Sequence, residues 1–207
     1  GKTIGQGLEE MDKIAAQTLD ETFRTALSGD SKDYRESSSS LMFAFILALI
    51  LIYLILAAQF ESFKDPFIIM LTVPLAIAGA LIFMYAGGIT MNIFSQIGII
   101  MLIGLVAKNG ILIVEFANQK QEGGENKMQA IRDAALQRLR PILMTSASTV
   151  LGLIPLAFAT GEGANQRIAM GTAVVGGMLV STFLTMYIVP AIYSYISTNR
   201  NVKTEIV

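Results

Sequence analysis

Gly104-Leu-Val-Ala-Lys-Asn-Gly-Ile-Leu-Ile-Val-Glu-Phe116 sets one lysine inside a run otherwise apolar enough to cross a bilayer. No charge occurs from Ile97 to Ala107, and none from Gly110 until Glu115. An ammonium held at that depth costs about 2.5–3.5 kcal/mol on insertion scales, so Lys108 marks a functional position that needs a partner. Glu115 shares its helix face but lies two turns on, about 10 Å along the axis. No other carboxylate stands inside an apolar span of the chain. Lys108 therefore either reaches a lipid interface or finds its counter-ion on polypeptide outside this sequence.

Composition agrees with a bilayer environment. Of 207 residues, 53% are hydrophobic and 15% charged, against about 25% charged in ordinary soluble domains, and the mean hydropathy is +0.59. A net charge of −1 gives no reason to expect nucleic acid. Without cysteine there are no disulfides or thiolates, and without histidine the common zinc sites and histidine relays are unavailable. No Gly-x-Ser-x-Gly elbow or phosphate-binding loop occurs, so neither an enzyme nor a cofactor is expected. The chain opens at Gly1 with no signal peptide ahead of its apolar spans, which reads as a piece of a longer polypeptide.

Outward from Lys108, the hydropathy pattern predicts five spans, at about 41–60, 66–86, 92–118, 141–160 and 168–196. Leu41–Phe60 is charge-free and about 30 Å long as a helix, the thickness of the hydrocarbon core. Glu61-Ser-Phe-Lys-Asp65 reads as a charged turn. Pro66 suits the first position of the second span, which Pro74 should bend, and Pro155 should kink the fourth. Between the third and fourth spans, residues 125–138 carry an apolar stripe that continues to Leu139 and predict a helix lying on the membrane surface. Ala76 and Ala80, and Ala173, Gly177 and Ser181, sit at four-residue spacing that permits close helix contact, or are ordinary membrane-helix composition.

Residues 1–36 differ in kind. Ile4, Leu8, Met11, Ala15 and Leu19 predict an amphipathic helix, and residues 23–28 a short strand before the Gly29-Asp30 turn. Too small for a core of their own, they read as the end of a larger extramembrane domain. The expected fold is thus an all-α membrane bundle of five transmembrane helices in residues 37–198, with a short α+β remnant ahead and a polar tail at 199–207. Lysines and arginines gather on the tail's side: Lys64, Lys120, Lys127, Arg132, Arg138, Arg140, Arg200 and Lys203. The short loops opposite hold only Arg167, so the C-terminus is placed in the cytoplasm and residues 1–36 outside. Lys2, Lys13, Arg24, Lys32 and Arg35 run against this, but large translocated domains obey the rule poorly.

Three readings of Lys108 stay open on these residues: snorkelling to headgroups, a static ion pair, or an ion pair that switches as the carboxylate titrates. Arg138 is a positive-inside residue at the approach to the fourth span. Thr145 and the following Ser146, Ser148 and Thr149 either pass a proton through water or bond back to their own helix.

Four segments together resemble the resistance-nodulation-division (RND) efflux transporters, in their hydrophobe/amphiphile multidrug branch. They are Ala57-Ala-Gln-Phe-Glu-Ser-Phe63, Val73-Pro-Leu75, Gly104–Phe116 and Arg138-Leu-Arg-Pro-Ile-Leu-Met-Thr-Ser146. The likeness covers essentially the whole chain, as the last five of twelve family helices preceded by the end of the periplasmic porter domain. It implies a homotrimeric multidrug/proton antiporter of the Gram-negative inner membrane. Such a pump works with a periplasmic adaptor and an outer-membrane channel, exports amphiphilic drugs or lipids, and is driven by the proton gradient alone. By the same resemblance Lys108, Arg138 and Thr145 are proton-relay positions, with Asn109 and Glu115 in support. Lys108 would pair with two aspartates on a helix absent from this chain. The competing class is a membrane scaffold, or a lipid- or protein-handling transporter of the same fold, with a structural Lys108.

Overall fold

A computed structural model of the chain describes residues 4–20 and 22–198. The tail at 199–207, with Arg200 and Lys203, lies outside the described residues, as does Lys2. Among the described residues seven helices follow one another: α1 (Ile4–Thr18), α2 (Asp30–Phe60), α3 (Lys64–Met70), α4 (Thr72–Ala86), α5 (Ile93–Glu122), α6 (Lys127–Ala157) and α7 (Ala164–Ile196). Taking α3 and α4 together, five helical segments are long and apolar enough to cross a membrane. The chain is an all-α, multi-pass membrane bundle.

Several boundaries differ from those expected. Residues 23–28 form no strand, because a strand must pair and no sheet exists among the described residues to receive it. Helix α2 begins at Asp30 rather than Leu41, so the serine run is helical. Pro66 sits in the third position of α3, where the missing N–H is still one that the helix would leave unpaired. The second span breaks at Leu71. Pro74 lacks the N–H that would bond the Met70 carbonyl, and Thr72 Oγ1 donates to the Ile69 carbonyl at 2.7 Å, so the ladder is interrupted just ahead of the proline.

Between residues 125–138 and the fourth span the chain does not pause. They join as one helix, α6, which runs through Pro141 and stops at Ala157, two residues past Pro155. At about 46 Å it exceeds the roughly 30 Å hydrocarbon core, so its charged first half can project beyond it. Helix α5 starts on a capping box, in which Ser95 N–H donates to Asn92 Oδ1 and Asn92 N–H to Ser95 Oγ, both at 2.9 Å. It continues to Glu122 before Gly123 ends it.

Helix α7 is the centre of the bundle, packed on α4, α5 and α6. Its small residues are what let the backbones meet. A Cβ added at Gly177 would stand 2.2 Å from Leu102 Cδ2 and 2.8 Å from the Ala76 carbonyl oxygen. One at Gly176 would stand 2.3 Å from Phe83 Cβ. Ala76, Ala80, Ala173, Gly177 and Ser181 are all buried, as their spacing predicts for contact residues. The apolar interior falls into two clusters. One holds Ala80, Leu102, Val106, Val150 and Met178, the other Ile69, Ile113, Ile142, Val189 and Tyr193.

Candidate functional site

Lys108 is half-buried on α5. Among the described residues it has no ion-pair or hydrogen-bond partner. Glu115, two turns along the same face, accepts from Gln119 Nε2 at 3.4 Å. It lines a cleft with Gln59, Glu61 and Glu122 and does not reach Lys108.

The next residue behaves differently. Asn109 is wholly buried, turned about 100° from Lys108 by the helix pitch. Its Nδ2 donates to Ser146 Oγ on α6 at 3.3 Å and to Thr182 Oγ1 on α7 at 3.4 Å. Thr182 Oγ1 in turn donates to Ser146 Oγ at 3.2 Å. Three helices thus meet in a closed triangle of side chains. Asn109 Oδ1 and, one turn along α7, Thr185 Oγ1 are buried without a hydrogen-bond partner. Two unspent polar atoms about one turn apart in an apolar bundle are where a buried water would find partners.

Thr145 is exposed, and its hydroxyl donates to the Ile142 carbonyl of its own helix at 3.1 Å. Because α5 and α6 run antiparallel, the Asn109–Ser146 contact leaves Lys108 and Thr145 within about 3 Å of one level along the bundle. Arg138 lies two turns from Thr145, its guanidinium 4.4 Å from the centroid of the Phe116 ring, while its Nε is buried without a hydrogen-bond partner. Lys120 Nζ stands 5.9 Å from the same ring. Among the described residues no hydrogen bond or ion pair joins Lys108, Arg138 and Thr145 to one another. No group of three acidic residues that could hold a metal occurs among them either.

A second buried polar network closes one end of the bundle. Asp65, only 2% exposed, accepts from Asn118 Nδ2 at 3.0 Å and from Ser197 Oγ at 3.3 Å. Tyr193 donates to Asn118 Oδ1, and Gln121 Nε2 donates to the Tyr193 hydroxyl at 2.7 Å. Lys127 Nζ reaches the Ser197 carbonyl at 3.2 Å.

With this geometry in place, comparison with known proteins is decisive. A profile of the AcrB/AcrD/AcrF family matches residues 1–197. The chain belongs to that family. A transporter of Haemophilus influenzae described only as uncharacterized is 40% identical over 207 residues, covering 97% of this chain and 20% of that protein. The toluene efflux pump membrane transporter TtgB of Pseudomonas putida is 38% identical over 197 residues, 95% of this chain and 19% of that one. The multidrug resistance protein MdtF of Escherichia coli is 39% identical over 194 residues, 93% and 19% respectively. TtgB and MdtF are RND multidrug efflux transporters, and this AcrB/AcrD/AcrF-family chain spans about a fifth of the length of all three relatives.

Thr182 and the Asp65 network are the polar positions that reading the sequence passed over. Ser146 was visible only as one hydroxyl in a run. Asp65 sits in what looks like a solvated turn, yet it opens directly onto Pro66 and an apolar span. The partners of Asn109 lie far off in sequence, so no local pattern could pair them.

Proposed function

We propose that the chain is membrane-embedded machinery of a proton-driven multidrug exporter, with Lys108 as the cationic half of a switching ion pair. One observation carries this reading: Lys108 projects from an apolar stretch of α5 with no anion beside it among the described residues, where an isolated ammonium is costly. A carboxylate pair from elsewhere in the parent protein would hold it. Protonation of those carboxylates would release it, and the change in helix packing would drive an extramembrane pump domain. Each proton crossing with the potential supplies about 2.3 kcal/mol per 100 mV. Arg138 and Thr145, facing the same way two turns apart on α6, would carry the proton path between the cytoplasm and Lys108. Glu115 and Asn109 would support it.

The same reading makes the whole protein a homotrimer in a Gram-negative inner membrane, with residues 1–36 periplasmic and the C-terminus cytoplasmic. It would be joined to a periplasmic adaptor and an outer-membrane channel, and would export amphiphilic drugs or lipids. That TtgB is a toluene efflux pump transporter and MdtF a multidrug resistance protein supports export of apolar and amphiphilic compounds. In the full-length protein Lys108→Ala should abolish drug resistance and drug-linked proton flux in proteoliposomes, at unchanged membrane abundance. Efflux retained in that variant would rule the relay out.

A further inference from the structure

We infer that Asn109, Ser146 and Thr182 act as a positioning lock that fixes which face of α5 carries Lys108. Away from the Asn118 and Gln121 hydrogen bonds near its C-terminal end, α5 is held by apolar clusters whose contacts have no preferred direction. The triangle lies at the junction of those clusters: on α5 between Val106 and Ile113, on α6 between Ile142 and Val150, on α7 between Met178 and Val189. All three side chains are buried, so their hydrogen bonds, which are directional, face little competition from bulk water. Both Nδ2 hydrogens of Asn109 and the Thr182 hydroxyl hydrogen are used within the triangle.

The lock discriminates between neighbours. Turning α5 by one residue would withdraw Asn109 from its partners and point Lys108 at α6 and α7, where among the described residues no buried carboxylate stands at that level. An ammonium there is strongly disfavoured. Asn109 is therefore a positioning residue: it holds the adjacent amine on the face that α6 and α7 leave open. Only the consequence for transport rests on Lys108 being the relay cation.

A thiol probe separates the two. In a full-length version whose sole cysteine replaces Lys108, the rate of modification by a membrane-permeant maleimide reports which way position 108 faces. Thr182→Val keeps the shape of the side chain and removes the hydroxyl; Thr182→Ser keeps the hydroxyl and loses a methyl. The lock requires Thr182→Val to change the modification rate by about fivefold, the weight of one net hydrogen bond, and Thr182→Ser to keep the parent rate. Equal rates in all three, or a change in the serine variant alone, overturns it. If Thr182→Val does not accumulate, Ser146→Ala against Ser146→Thr poses the same question. With Lys108 restored, Thr182→Val should also lower drug efflux. A shifted thiol rate with undiminished efflux would leave the lock standing and remove the relay.

Discussion

Helices α2 and α7 look alike to a hydropathy scan and behave as opposites in the fold. The span within α2 is the more apolar, with a mean hydropathy of 3.0 against 1.8 for α7. Yet 6% of its most apolar window is buried, against 50% for α7. Phe43, Ile46, Ile50, Leu54 and Ile55 of α2 are all exposed, and the helix touches the bundle mainly through Leu56 and Phe60 at its end. The difference is one of side-chain size. α2 contains no glycine, whereas α7 brings Gly171, Gly176 and Gly177 to its contacts. In lipid, apolarity places a helix in the membrane, but it does not by itself bring helices together. Close backbone approach and interhelical hydrogen bonds do that.

The sharpest way to break this contrast is to fill the space that α7 leaves. Gly177→Ala sets a methyl carbon against Leu102 and the Ala76 carbonyl. The side chain can yield but the backbone oxygen cannot without α4 moving, so about 3 kcal/mol of stability should be lost. Thermal unfolding of the purified full-length protein in detergent measures it. An unchanged midpoint would mean that α4 and α7 do not meet through this glycine.

Next in size is the network that ties α3, α5 and α7 at one end of the bundle. Asp65→Ala leaves the Asn118 amide and the Ser197 hydroxyl without the acceptor they share. Buried donors left unpaired cost more than the hydrogen bonds they lose, about 2 kcal/mol in all. Combining Asp65→Ala with Asn118→Leu should cost less than the sum of the two single changes in the same unfolding assay, since the Asn118–Asp65 hydrogen bond is then lost only once. An additive double variant would show that the two side chains act independently.

That network also marks where reading residues in order stops. The five spans were legible because hydropathy and length are properties of a local window, and Lys108 was legible because a charge stands out against such a background. The contact stripe of Ala76, Ala80, Ala173 and Gly177 was legible as a spacing, though the same spacing also arises from composition alone. What was not legible depends on distant sequence. Asp65 looks like part of a solvated turn until Asn118 and Ser197 close over it. Thr182 is one threonine among several in α7 until Asn109 reaches it. The strand at 23–28 failed for the converse reason: local alternation was present, but no partner strand was. The run of residues 127–157 as a single helix was hidden by Pro141, which lies in the interior of α6 without ending it.

The smallest expected effect tests the other side of the comparison. Ile50 is half exposed on the face of α2 turned away from the bundle, so Ile50→Ala exchanges one lipid-facing apolar side chain for a shorter one. Lipid can follow the new outline, so no fixed cavity remains, and the change should stay within about 0.5 kcal/mol. Measured in the full-length protein, a null result agrees with α2 being a lipid-facing element held by its last turns. A loss of 2 kcal/mol or more would not come from contacts within this chain, since Ile50 lies on the exposed face of α2, away from Phe45, Ile52, Leu56 and Phe60, which pack on the bundle. It would mean that another part of the parent protein packs on that face, and α2 would then join α7 as an interior helix whose partners lie elsewhere.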